Sequence, residues 1–208
     1  MTILNRLASR LDRRDEQPNI ELAHELVREN NMVGIREIME GLLNKEKMIR
    51  HDCIKVAYEV GNENPQLIGD YAKVFIELLR SKDNRMVWGA MQALSAIADI
   101  KANVLMEQLH EIKLAIKVGS VITVDKGILT LAKVATVSEK NNEQIFPFLI
   151  EHLKNCRTKE VPQHAESALR AVNEKNKAEF LQVLHEREQY LTSPQLKRIV
   201  KIYKQLEG

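Results

Sequence analysis

Aromatic side chains are scarce in this sequence. Phe, Trp and Tyr make up 4% of its 208 residues, so a core must be aliphatic, built on Leu, Ile, Val, Ala and Met. Cysteine is scarcer still. Cys53 and Cys156 stand far apart, which excludes a disulfide framework and suits two reduced thiols in a cytoplasmic protein. No sign of charge dominates. Charged residues are 29% of the chain, yet the formal net charge is +2, too balanced to demand nucleic acid or an acidic lipid surface. No apolar run approaches the roughly 18 residues of a membrane span, and the start lacks the basic, apolar and cleavage regions of a secretory signal. The common site motifs are missing too: there is no H-E-x-x-H, C-x-x-C, P-loop or G-x-S-x-G. The expectation is no catalysis, no cofactor and no metal.

What is present is helical periodicity. In Asp83 to Asp99, DNRMVWGAMQALSAIAD, Val87, Ala90, Met91, Leu94, Ile97 and Ala98 recur at three- and four-residue steps, one apolar face of a helix. Ala90, Ala93, Ala96 and Ala98 are small enough to let neighbouring helices come close. Asp83 or Asn84 can cap its first amides. Leu67 to Arg80 is a second amphipathic helix, and the short polar turn Ser81 to Asn84 joins the two into a hairpin.

The hairpin repeats. At a step of about 37 residues Leu94 falls on Leu131, Ile97 on Val134 and Ala98 on Ala135. One step back, Leu94 meets Ala57 and Ile97 meets Val60; two steps forward they meet Leu169 and Val172. First-helix partners keep the register: Leu42-Leu43, Leu78-Leu79, Ala115-Ile116 and His152-Leu153. A fixed period of this kind marks a solenoid.

The repeat resembles the HEAT family, through Asp83, Arg85, Val87, Ala90, Ala93, Leu94 and Ile97, with Val and Arg exchanged in order and a period a little below the usual about 40–47. The resemblance covers about residues 32 to 208. It implies an all-α fold: a right-handed α-α superhelix of about five helical hairpins behind an N-terminal capping helix pair. The expected boundaries are 1–30 for the cap and 32–61, 66–100, 103–138, 142–173 and 177–208 for the repeats. In the cap, Ile3, Leu4, Leu7, Ala8 and Leu11 form the stripe of a helix over Met1 to Arg14, and Ile20 to Glu29 forms the next. The segment VGSVITVDKG is rich in β-branched residues, but the register makes it helical from about Ile122. Pro162 falls in a first helical turn, where proline is tolerated, and Pro147 lies in the first helix of its repeat.

Fold-level resemblance names a scaffold rather than an activity. The resemblance implies a protein-binding scaffold that uses the concave ridge of its second helices, with Trp88, Gln92, Lys55, Lys126 and Arg170 as contact candidates. Trp88 is the single tryptophan, a residue type enriched at interaction hot spots. A second reading is nucleic-acid binding, as in the HEAT-like alkylpurine DNA glycosylases, although no catalytic Asp with an accompanying Trp and Arg set can be matched. Arg50, Lys55, Arg85, Lys126, Lys133 and Arg170 recur on second helices among acids, and Lys197, Arg198, Lys201 and Lys204 give the last helix four positives before Glu207. A third reading follows from His24-Glu25, His110-Glu111 and His185-Glu186. HEAT-like deoxyhypusine hydroxylases hold iron with repeated His-Glu pairs. Here only His110 and His185 keep a two-repeat spacing.

Overall fold

A computed structural model of the chain describes residues 2–207. They form twelve α-helices, with short 3₁₀ turns and no strand among the described residues. The chain divides into two compact units, Met1–Gly127 and Ile128–Gly208.

The first unit is organised around three helices packed side by side: α1 (Gln17–Arg28), α3 (Lys47–Glu63) and α5 (Asn84–Ile97), with α3 between the other two. Helices α2 (Met32–Gly41) and α4 (Ala72–Leu78) pair with α3 and α5 and complete their hairpins. Ile49, Cys53, Ile54, Val56, Ala57 and Val60 of α3 are buried, a set too wide for one face because neighbours cover the helix on several sides. Close approach is written into the sequence at Gly89: a Cβ there would lie 2.6 Å from Ile54 Cγ1. Asp83 caps α5, its Oδ1 accepting from Arg85 N at 3.1 Å. The turn before α5 thus fits the local chemistry of the sequence.

Other elements differ from the sequence expectation. The expected helix begins at Met1, outside the described residues, as does Gly208 at the end of the fifth expected repeat. Residues after Met1 form two 3₁₀ turns, Ile3–Arg6 and Ala8–Leu11, broken at an extended Leu7. Distant side chains take three of the backbone amides here. Glu37 accepts from Ile3 N at 3.1 Å, Asn19 Oδ1 from Ala8 N at 2.9 Å and Asp52 Oδ2 from Ser9 N at 2.9 Å. Leu7 and Ala8 are buried, but Leu11 is exposed. The helix expected over Leu67 to Arg80 shrinks to α4, preceded by 3₁₀ turns at Pro65–Leu67 and Gly69–Tyr71. The next first helix breaks at Gln108 into α6 (Ala102–Glu107) and α7 (Leu109–Val118). By contrast, α8 (Val121–Thr136) is helical through its β-branched start, as the repeat register requires.

In the second unit, α9 (Glu139–Asn155) runs through Pro147 and packs on α10 (Val161–Ala168) and α11 (Lys177–Glu188). Pro162 occupies the first turn of α10, where its missing N–H costs no helical bond. Helix α12 (Ser193–Glu207) packs on α10 and α11 and buries Ile199 and Ile202. Asn142 of α9 is buried and satisfied, donating to Ala171 O at 2.7 Å and accepting from Asn176 Nδ2 at 3.0 Å.

Candidate functional site

On α3, Lys55, Tyr58 and Glu59 stand at three- and four-residue spacing; on α5, Arg85, Trp88 and Gln92 do the same. Such spacing puts each trio on one helix face, and the packing of α3 against α5 brings the faces together. The Tyr58 and Trp88 rings lie 6.0 Å apart, tilted by 52°. Lys55 Nζ sits 4.9 Å from the Tyr58 ring centre, and the Arg85 guanidinium 5.5 Å from that of Trp88, both within cation–π range. Glu16, just before α1, joins the two cations: it pairs with Arg85 and lies 3.2 Å from Lys55 Nζ. Glu59 holds the same ammonium at 2.6 Å.

Burial and pairing set the protonation of this ridge. Burial works to strip Lys55 of its proton, but hydrogen bonds to Glu59 and Tyr58 outweigh it and raise the ammonium above its ordinary range. Burial works to raise the Glu16 carboxyl, yet hydrogen bonds from Arg85 and Lys55 hold it below the usual carboxylate range. Burial raises the Tyr58 phenol, with Lys55 opposing. Beside the ridge, His51 Nε2 is 2.8 Å from Asp83 Oδ2. A cavity of about 210 Å³ opens there between Ser9, Arg14, His51 and Arg85. The arrangement is a charge-compensated aromatic surface, in which Lys55, Arg85, Glu16 and Glu59 each face an opposite charge.

Of the contact candidates, Trp88, Gln92 and Lys55 therefore fall on one surface. Trp88 and Gln92 are half-buried. Lys55 is a correction: its side chain is 9% exposed and held by two carboxylates, so it is a strut of the ridge rather than an offered charge. Lys126 is half-buried on α8. Arg170 is exposed, on the 3₁₀ turn Leu169–Ala171 of the second unit, where it lines a cavity of about 510 Å³ with Glu139, Asn142 and Lys175. Tyr58, Glu16 and Glu59 were not among the candidates; Glu59, four residues after Lys55, is the one a charge-pair reading would find.

The alternatives fare less well residue by residue. Of the second-helix cations, Arg85 is paired and Arg50 donates to the carbonyls of Asn44 and Lys45 at 2.8 and 3.0 Å. On α12, Lys197, Lys201 and Lys204 are exposed, but Arg198 makes two bonds to Glu166 at 2.8 and 2.6 Å. The three His-Glu pairs do not assemble: His24 pairs with Glu63, His110 is exposed, and His185 stacks on Tyr203 at 4.8 Å. Among the described residues, the one group of three or more His, Cys, Asp or Glu side chains that could hold a metal is His152, Cys156 and His164. The sequence reading did not consider that set.

No protein-family model and no curated protein matches the chain. Solved structures do. A designed armadillo repeat protein in complex with the peptide (KR)4 is similar over 97% of this chain and 98% of its own, at 12% identity and a TM-score of 0.69. The karyopherin Kap121p bound to the SUMO protease Ulp1p is similar over 98% of this chain but 22% of its own, at 12% identity and a TM-score of 0.67. An engineered protein is similar over 99% of this chain and 100% of its own, at 18% identity and a TM-score of 0.64. The fold is that of the HEAT and armadillo repeats. In this HEAT-like frame, α2–α3, α4–α5, α9–α10 and α11–α12 are the helical hairpins. No helix among the described residues is long and apolar enough to cross a membrane.

Proposed function

We propose that this HEAT-like chain is a non-catalytic protein-binding scaffold whose contact surface is the ridge of α3 and α5, centred on Trp88. The observation that carries the reading is Trp88 itself, half-buried against Tyr58 and Arg85. A large ring held by neighbours loses little freedom when a partner covers it, which is how aromatic residues come to dominate interfaces. Two solved neighbours are in complex with a peptide or a protein, which supports the reading by analogy of fold alone. The ridge residues are engaged in fixed ion pairs rather than poised as nucleophile and base, which favours binding over catalysis. Two free cysteines, one buried and one half-buried, suit a reducing compartment such as the cytoplasm.

The test is co-purification from nuclease-treated lysate with wild type, Trp88→Ala and Arg170→Glu, each checked for an unchanged circular dichroism spectrum. Protein capture that survives nuclease and falls at Trp88→Ala supports the ridge. Equal capture by Trp88→Ala removes the ridge from the account. Capture that vanishes with nuclease replaces a protein partner by nucleic acid and points to Lys197, Lys201 and Lys204.

A further inference from the structure

Away from the ridge, the corner between α9 and α10 gathers two imidazoles and a thiol. His152 lies in the last turn of α9, and Cys156, four residues on, is its C-cap, so both project from the same side of the helix end. The 3₁₀ turn Thr158–Glu160 then folds the chain back, and α10 presents His164, which is fully buried. His152 Nε2 and His164 Nδ1 are 2.9 Å apart. The two ring nitrogens and Cys156 Sγ lie within 4.8 Å of one another. With Zn–N of about 2.0–2.1 Å and Zn–S of about 2.3 Å, tetrahedral ligand atoms stand about 3.3–3.6 Å apart. The imidazoles would have to open by a few tenths of an ångström and the sulfur to swing in, shifts within reach of side-chain rotation at a helix end.

We propose that His152, Cys156 and His164 bind one zinc-class divalent ion, through two imidazole nitrogens and a thiolate, with water as the fourth ligand. Borderline-soft N and S donors are the set that zinc takes, and an open fourth position is compatible with three protein ligands. Arg187 of α11 donates to the Lys154 carbonyl and, at 2.7 Å, to that of Cys156, which fixes the corner's backbone. Glu160 of the connecting turn is paired with Arg157. A cysteine thiol with an ordinary pKa of about 8.5 carries its proton at neutral pH. The ion then replaces that proton: the S–H bond breaks, the S–metal bond forms, and one proton passes to buffer. The imidazole that donates the N–H···N bond moves its proton to its other ring nitrogen, with no net loss. A loaded site would clip the end of α9 to α10.

The test uses the full chain, stripped with a chelator and titrated with Co²⁺, then with Zn²⁺. The expected result is one equivalent bound, tetrahedral cobalt bands in the visible, a thiolate-to-cobalt charge-transfer band in the near ultraviolet, and displacement by Zn²⁺. Cys156→Ser abolishes the charge-transfer band. Cys156→Ser and His152→Ala each weaken binding by at least the about tenfold to hundredfold that even an outer-shell partner contributes. Cys53→Ser and His24→Ala change nothing. His164→Ala is avoided because it empties a fully buried position. Folded protein that shows no charge-transfer band overturns the proposal. So does a band that persists in Cys156→Ser, or an affinity unchanged in His152→Ala.

Discussion

Gly89→Ala tests how the helix stack is held together. A Cβ at this position would sit 2.6 Å from Ile54 Cγ1 and 3.2 Å from Cγ2, where carbon atoms ordinarily rest about 3.5–4.0 Å apart. Ile54 is fully buried on α3 and both atoms are near its backbone, so the clash cannot be relieved by swinging a side-chain end aside. Overpacking of this kind costs about 1–3 kcal/mol. Helix propensity opposes it, because Ala is better than Gly in a helix interior by about 1 kcal/mol. The net expectation is a destabilisation of about 0–2 kcal/mol, too small to interpret alone. The decisive measurement is a double-mutant cycle with Ile54→Ala, followed by urea unfolding with far-ultraviolet circular dichroism. Ile54→Ala alone leaves a cavity and costs about 2–5 kcal/mol. In that background the clashing atoms are gone, so Gly89→Ala becomes neutral or stabilising by up to about 1 kcal/mol. The coupling is then about 1–3 kcal/mol, and a coupling below about 0.5 kcal/mol would refute direct contact of α3 and α5 at Gly89.

Further outcomes follow from the ridge and the thiols. The Glu16 carboxyl is held below its ordinary value of 4.5, so its contribution to stability is fully present above that value and is lost as pH falls through the depressed folded value. Glu16→Gln should therefore destabilise at neutral pH and converge with wild type in acid; a deficit independent of pH in urea titrations would refute the pairing. The Cys53 thiol, pushed up to about 12 by burial, should resist an uncharged alkylating reagent in the native state, and Cys156 should react first as pH rises. Rapid native-state labelling of Cys53 by mass spectrometry would contradict its burial. Trp88→Ala should cost less than the about 3–5 kcal/mol of a fully buried aromatic, because the ring is only half-buried, and a loss that large in thermal unfolding would make Trp88 a core residue rather than a surface anchor.

The fold was legible where local chemistry and the repeat agree. Asp83 before an apolar face reads as a cap and is one. The register of Leu94 and Leu131 overrode the β-branched start of α8, correctly. It failed where distant side chains intervene. Nothing near Ala8 or Ser9 says that Asn19 and Asp52 will capture their amides, and those two bonds compete with a continuous helix where the two 3₁₀ turns stand. The metal-type corner was illegible for a similar reason. His152 and Cys156 have helical spacing, but His164 joins them only because the chain folds back through Thr158–Glu160, and no spacing rule for zinc covers that turn.

Lys55 illustrates how burial can reverse what a sequence position suggests. A basic residue on a second helix reads as an exposed contact. Yet α1 and α5 flank α3, the run from Asp52 to Tyr58 is buried, and Lys55 is carried inward with the apolar set. An isolated ammonium there would cost several kcal/mol in desolvation. Glu59 from the same helix, Glu16 from the start of α1 and the Tyr58 ring offset that cost together, and Glu16 brings in Arg85 of α5 as well. The ion pairs are thus a consequence of stacking three helices around one buried lysine. They leave little uncompensated charge on this surface, so the proposed contact rests on the exposed parts of Trp88 and Gln92.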